Sequence, residues 1–276
     1  MKAKKHLGQN FLRNPAVAND IANLVPVEYP VIEIGPGDGS LTDALLGSGH
    51  RVVGIEIDPE MIRRLKYKFQ SRRDFRVHSE NITNVEWKDV WLDEPRISVV
   101  GNLPYHIASV ILFKVFDHVR SGAEPLIMNI TFMVQLEVGQ RIAASQGDEN
   151  YSALSLLARY HGTSRLAFKV DRDEFQPRPK VNGGVVTMNF TYPFSAPNGV
   201  DYAQFRRIVR GSFSQRRKMM RNCLQALGPL PDGWEDLPFD FKLRPQQMAF
   251  EQFLDLTAEL TMLTEKSVSL NTRTVV

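Results

Sequence analysis

The sequence has a single cysteine, Cys223, in 276 residues. That excludes an intrachain disulfide and any zinc site built from several cysteines. Its six histidines are scattered without ligand spacing, so no metal is assigned. No stretch approaches the ~18 consecutive apolar residues of a membrane span, which removes the membrane as an expected partner. The first residues, MKAKKHLGQNFLRNP, are basic but have no apolar run behind them. They read as no secretory signal, and the expected location is the cytoplasm. Net charge is also scarce: 34 Lys and Arg stand against 31 Asp and Glu. So small an excess implies a charged partner only where the charge is clustered. No Ser–His–Asp arrangement and no internal repeat stands out. What remains is an ordinary composition, 43% hydrophobic and 24% charged, with enough length for a full core and a second small domain.

Strand and helix patterns alternate through the first two thirds. Strands are expected at Val31–Ile34, in RVVGIEID, FRVH and RISVVGN, and in PLIMNITFMV. Helices are expected in PAVANDIANLV, LTDALLGSG, PEMIRRLKYKFQ and IASVILFKVF. Asn14 before Pro15 makes a cap followed by a first-turn proline, and Pro59 sits in the first turn of its helix. Such alternation argues a parallel sheet covered on both faces. YSALSLLARY reads as a further helix and GVVTMNFTY as a late strand. A Pro, Gly and Ser linker follows near residues 192–199. Beyond it the pattern is only helical, with a long helix expected over residues 202–227 and another over 245–263. The expected division is a basic arm over residues 1–14, an α/β domain over 15–195 and a helical domain over 196–276.

Gly35, Gly37 and Gly39 follow the first buried strand and precede a helix. Ligands of α/β sheets gather at the carboxyl ends of the strands, and glycine there lets the backbone approach a ligand. The spacing is G-x-G-x-G, with Ser40 where the dinucleotide fingerprint has its third glycine. The next strand ends in Glu56 and Asp58, and an acid at that place takes ribose hydroxyls. Glu80, at the following strand end, can accept from an adenine amine or can be a plain surface acid. Glycine turn and acid together make a nucleoside half-site, without saying which nucleoside.

The fourth strand runs into Asn102, Leu103, Pro104 and Tyr105. A plain turn needs an Asn and a Pro but no aromatic after them. Pro104 fixes the backbone and donates no N–H. The Asn102 side chain and the Leu103 carbonyl are thereby held as acceptors for an exocyclic amine, and Tyr105 offers a flat face to a purine. An aromatic amine is a poor nucleophile because its lone pair is delocalised into the ring. Acceptors that favour its pyramidal form act in the transition state. The bland alternative is an Asx-type turn with a packed Tyr.

Here the sequence resembles the ribosomal RNA adenine dimethyltransferases, the KsgA family. The resemblance rests on KKHLGQNFL, VIEIGPGDGSLT, NLPY, FQPRPKVNGGVV and FSQRRKMMRNCL, in that order along nearly the whole chain. It implies a Rossmann-like methyltransferase sheet with a small C-terminal helical domain. It implies S-adenosylmethionine as donor and two adjacent adenosines near the 3′ end of 16S rRNA as substrate, in the small ribosomal subunit or its assembly intermediate, with a role in subunit biogenesis. Carried over residue by residue, the cofactor contacts fall on Asn10, Leu12, Gly35, Glu56, Glu80 and Asn102. The family usually has Asp where this chain has Glu80, and an acid and a hydroxyl where it has Asn182 and Gly183.

Arg206, Arg207, Arg210, Arg216, Arg217, Lys218 and Arg221 crowd into 16 residues with only Asp201 nearby. On one continuous helix Arg206, Arg210, Arg217 and Arg221 would share a broad face. Clustered cations are the footprint of phosphate contacts, although many charge runs are only solvated faces. Phe175, on a Pro-rich loop, could sandwich a flipped adenine with Tyr105, or could be a core residue beneath that loop. The expected protein is a monomer. Three other readings stay open: a related antibiotic-resistance methyltransferase acting on large-subunit rRNA, a non-catalytic RNA-binding factor on the same fold, and, more remotely, a NAD-dependent oxidoreductase.

Overall fold

In a computed structural model, residues 4, 8–90 and 94–273 are described, with side chains as far as residue 266. Of the expected basic arm, Lys2, Lys5 and His6 lie outside the described residues. The elements in chain order begin with β1 (Phe11–Leu12), α1 (Pro15–Ala22), β2 (Val31–Ile34), α2 (Ser40–Gly47), β3 (Val52–Glu56) and α3 (Pro59–Lys68). Then come β4 (Phe75–Ser79), α4 (Trp87–Val90), β5 (Arg96–Asn102), α5 (Ala108–Ser121), β6 (Leu126–Gln135) and α6 (Leu136–Ala143). The chain continues through α7 (Ala153–His161), β7 (Thr163–Val170), β8 (Phe175–Gln176), β9 (Gly183–Asn189), α8 (Tyr202–Ser214), α9 (Met220–Gln225) and α10 (Phe250–Arg273).

The chain divides into two compact units, residues 1–143 with 162–194 and residues 144–161 with 195–276. The first is built on a seven-stranded sheet of order β4-β3-β2-β5-β6-β9-β7. Five strands, β4 to β6 in that order, run parallel, and β9 is antiparallel to both of its neighbours. The fold class is therefore α/β with a mostly parallel sheet. Strands β2, β3 and β5 are almost wholly buried, as strands covered on both faces must be. Val31, Val52 and Val100 meet Ala18 and Ile21 of α1, Leu41 and Leu45 of α2 and Leu65 of α3 in one cluster. Ile32, Val53 and Val99 alternate to the opposite face, and α5 buries Ile111, Leu112, Val115 and Phe116. Helix starts follow the expected caps. Asn14 Oδ1 accepts from the Ala16 amide at 2.9 Å, and Asp58 Oδ1 from the Glu60 amide at 2.9 Å, with Pro15 and Pro59 in the first turns.

The second unit departs from the expected linear division, because it recruits α7 from ahead of residue 195. The reason is aromatic burial. Tyr160 of α7 stacks on Phe205 of α8 with centroids 5.1 Å apart, and its hydroxyl donates to the Val200 carbonyl at 2.6 Å. Tyr151 packs edge-on to Phe213 and donates to the Met248 carbonyl. The long helix expected over 202–227 is broken. Helix α8 stops at Ser214, and α9 begins only at Met220. Of the intervening residues, Gln215, Arg216, Arg217 and Lys218 are polar, and Met219 is left exposed. The α9 amides of Met220 and Arg221 donate instead to the carbonyls of Leu243 and Phe241. Among the described residues no helix is long and apolar enough to cross a membrane.

Candidate active site

A cavity opens at the carboxyl ends of β2, β3, β4 and β5, walled by Gly35, Glu56, Glu80, Asn102 and Tyr105 and roofed by residues 8–12. The glycine turn between β2 and α2 is left-handed at all three glycines, with φ of +65°, +58° and +79°. The positive φ favours glycine at all three, but their surroundings differ. A Cβ on Gly35 would project into open space, one on Gly37 would stand 3.1 Å from the Phe11 ring, and one on Gly39 2.9 Å from Phe69. Gly35 alone therefore leaves room for a ligand, while the other two let the turn pack.

Glu56 holds this turn. Its Oε2 accepts from the Gly37 amide at 3.1 Å, and its Oε1 accepts from the Ile57 and Asp58 amides at 2.9 and 2.8 Å. Burial raises its pKa, and those three amides pull it back only in part. A carboxylate has about four lone-pair sites, so roughly one remains for a ligand, on Oε2. The side chain thus has one strong acceptor site toward the cavity rather than a free pair.

The sequence pattern missed Glu33, an acid inside the buried run of β2. Its exposure is 1%, and Thr42 Oγ1 donates to its Oε2 at 2.6 Å. Burial pushes its carboxyl up to about 8, the Thr42 bond opposes this, and the Glu56 charge adds to it. It lines the cavity with Glu56. The signal was available: a charge in a central strand is costly unless something answers it.

Asn102 ends β5. Its Nδ2 donates to the Asn10 carbonyl at 2.9 Å. That bond fixes the amide's orientation and leaves Oδ1 as the acceptor. The Leu103 amide closes the ladder on the Met133 carbonyl at 3.0 Å, and the Ile107 amide caps the turn on the Pro104 carbonyl at 3.1 Å. Tyr105 lines the cavity, its hydroxyl is buried with no hydrogen-bond partner among the described residues, and burial raises its pKa. The roofing segment is tied down elsewhere too. Lys4 Nζ and Gln9 Nε2 reach the two oxygens of Asp58 at 2.6 and 2.9 Å. Burial alone would raise the pKa of Asp58, but these bonds and the Glu60 amide carry it below the usual range. Gly8 sits where a Cβ would meet His106 at 2.9 Å. Asn10 and Leu12 are thereby brought to the cavity with Gly35, Glu56, Glu80 and Asn102. Glu80 is exposed at the rim, and its Oε1 accepts from the neighbouring Asn81 amide at 2.9 Å.

Phe175 is not the exposed loop aromatic that was one of its two expected readings. It is 4% exposed, pairs in β8 with Leu12 of β1 and belongs to the hydrophobic cluster. The cost of leaving a phenyl ring in water is avoided by covering it with the N-terminal strand. Asn182 likewise serves the scaffold, with Oδ1 accepting from the Arg172 amide at 3.0 Å. In the second unit, the shared helix face expected for Arg206, Arg210, Arg217 and Arg221 is not formed, because Arg217 lies in the break between α8 and α9. Arg216 donates to the Glu149 carbonyl at 2.8 Å, and Arg221 pairs with Glu235 at 3.1 Å. Arg210, Arg217 and Lys218 are exposed and free of such partners among the described residues. Those residues also show no cluster of groups that could hold a metal.

Comparison with known proteins adds three findings. Residues 1–233 match the family described as Ribosomal RNA adenine dimethylase. A Pseudomonas aeruginosa protein named Ribosomal RNA small subunit methyltransferase A is 35% identical over 266 residues, covering 95% of this chain and 96% of the relative. A Flavobacterium johnsoniae protein of the same name is 34% identical over 262 residues. Among solved structures, a Plasmodium falciparum dimethyladenosine transferase superposes with a TM-score of 0.73 at 22% identity, covering 92% of this chain and 98% of that one. The 23S rRNA methyltransferase ErmE superposes with a TM-score of 0.66 at 24% identity, covering 91% and 100%. At those identities the two structures speak to the fold alone.

Proposed function

Because the chain belongs to the ribosomal RNA adenine dimethylase family, we propose that it transfers methyl groups from S-adenosylmethionine to the exocyclic amines of two adjacent adenosines near the 3′ end of 16S rRNA. It works as a monomer in the cytoplasm, on the small ribosomal subunit or its assembly intermediate. One observation carries the chemistry. The Asn102 amide is oriented by its bond to the Asn10 carbonyl, so its Oδ1 is a preorganised acceptor at the cavity wall.

The cavity fits such a donor. Gly35 has open space where a Cβ would stand, Glu56 retains an acceptor site, and the buried Tyr105 hydroxyl has no partner among the described residues. When bound, S-adenosylmethionine supplies an electrophilic methyl group. Glu56 takes a ribose hydroxyl, Glu80 or the adjoining Asn81 segment meets the adenine, and Gly35 lets the backbone approach. Asn102 Oδ1 and the Leu103 carbonyl accept the two N–H bonds of the target amine. They favour its pyramidal form and leave its lone pair for the methyl group. Each transfer forms an N–CH3 bond as the donor's S–CH3 bond breaks, and the methylated amine then releases one proton to water, so after the first transfer one N–H remains and Asn102 holds it while the second methyl is added. Tyr105 carries the base on its ring face. Arg210, Arg217 and Lys218 meet phosphates.

Purified small and large subunits, incubated separately with the enzyme and labelled donor, test this reading. Dimethylated adenosines in small-subunit RNA support it. Label only in large-subunit RNA, or none in either, refutes it.

A further inference from the structure

We infer that the exposed face of α3 and the turn after it form a second RNA-binding surface, which grips the phosphate backbone flanking the target and stacks an unpaired base on Tyr67. The inference rests on RNA being the substrate, as proposed above. Pro59–Arg76 carries seven cations and two acids, whereas the rest of the chain carries 27 cations and 29 acids. This is the strongest local departure from charge balance in the α/β unit that the cavity does not explain.

Part of that charge is spent within the fold. Arg64 pairs with Glu60 at 2.9 Å, Arg72 with Asp74 at 2.6 Å, and Lys68 with Asp43 and with the Gly39 carbonyl. Lys68 thereby serves the helix end, where cations complement the dipole. Arg63, Lys66 and Arg73 are exposed and have no such partner among the described residues. Arg63 lies too early in α3 to answer the helix end.

A second feature sits in the same patch. Tyr67 is 77% exposed, the most exposed large hydrophobic side chain among the described residues. It stands four residues from Arg63 and beside Lys66, on one helical face. An aromatic ring left in water among unpaired cations suits a single-stranded nucleic acid, since bases stack on such rings sequence-tolerantly and cations track the backbone. A solvated face explains lysines but gives no reason for the ring. The surface is also well placed. Arg63 follows the Asp58 cap by five residues, about 7 Å along the helix axis, and Asp58 immediately follows the Glu56 segment of the cavity. Phosphates one or two nucleotides from a base in the cavity are within its reach.

The test compares wild type, Arg63→Gln/Lys66→Gln/Arg73→Gln, Tyr67→Ala and Tyr67→Phe. Each is measured for binding to small subunits and to protein-free small-subunit rRNA across a salt series, with melting and donor affinity as controls. The triple variant should bind both RNA forms more weakly, with the salt slope lowered by about two to three, at about 0.7–0.9 per phosphate contact. Tyr67→Ala should lose about fivefold or more, and Tyr67→Phe should keep wild-type affinity, because phenyl stacks as well. Donor affinity and melting should not change. A triple variant with the wild-type salt slope overturns the inference. So does weakening on intact subunits with none on protein-free RNA, which would make the face a contact for a ribosomal protein. Methyl transfer by the wild type tests the proposed function separately, since RNA binding through α3 can hold where methylation fails.

Discussion

Glu33→Gln should flatten the stability of this protein between pH 5 and pH 9. In the native state Glu33 is buried in a central strand, and its carboxyl is pushed up to about 8 from 4.5. A group whose folded pKa is raised gives its full stability below the unfolded value, and that stability is lost as pH rises through the folded value. Between those two values the folded protein holds a proton that the unfolded chain has released, and stability falls by about 1.4 kcal/mol per pH unit. The neighbouring Glu56 carboxylate shares in the shift, so a loss of a few kcal/mol is the working expectation. Other groups move with pH as well. Glu56 is raised and acts in the same direction, while His50 and His118 are lowered by burial and act oppositely. The difference between wild type and variant cancels these to first order. Gln keeps an acceptor for Thr42 Oγ1 and carries no charge. Urea unfolding at pH 5, 7 and 9 reads the result. The wild type should lose stability relative to Glu33→Gln as pH rises, most steeply between pH 5 and 8 and levelling off by pH 9. Parallel curves across that range would show that Glu33 is ionised and answered in the native state, and the reasoning from burial would fail.

Glu56→Gln removes the charge and one of the oxygens that hold the Gly37, Ile57 and Asp58 amides. It should weaken donor binding about tenfold or more by calorimetry and also lower the melting temperature; unchanged affinity would remove Glu56 from the site. Changing Arg210, Arg217 and Lys218 together to Gln should lower the salt slope of subunit binding by about two to three, with donor binding unaltered; a wild-type slope would mark them as a solvated face. Tyr105→Phe should keep most methyl transfer and Tyr105→Ala should lose much of it, in line with ~1–3 kcal/mol for stacking one base. Equal impairment of the two would mean that the buried hydroxyl, not the ring, matters.

The parallel half of the sheet was legible because buried parallel strands read as short apolar runs between capped helices, as at Val31–Ile34 and Arg96–Asn102. The edge at β7 was not. Thr163–Val170 alternates exposed and half-buried residues and contains charges that mask a strand signal. Recruitment of α7 into the second unit was invisible as well, because YSALSLLARY says that it is a helix but not which rings it meets. Tyr160 and Phe205 find each other across 45 residues. The break at Gln215–Met219 was overrun for a related reason: an arginine-rich run keeps helix propensity while offering no apolar face. That Gly35, Glu56 and Asn102 would meet at one cavity was legible, since topology alone brings strand ends together. Phe175 was not, because its burial depends on pairing with Leu12, which lies 163 residues earlier in the chain.

The acceptor role of Asn102 is most directly tested by single-turnover methyl transfer to unmethylated small subunits, comparing wild type with Asn102→Ala. Removing one preorganised polar contact of this kind costs about 3 kcal/mol of transition-state stabilisation. The rate should fall by roughly a hundredfold or more, with RNA binding retained. Methyl transfer by Asn102→Ala at the wild-type rate would contradict it.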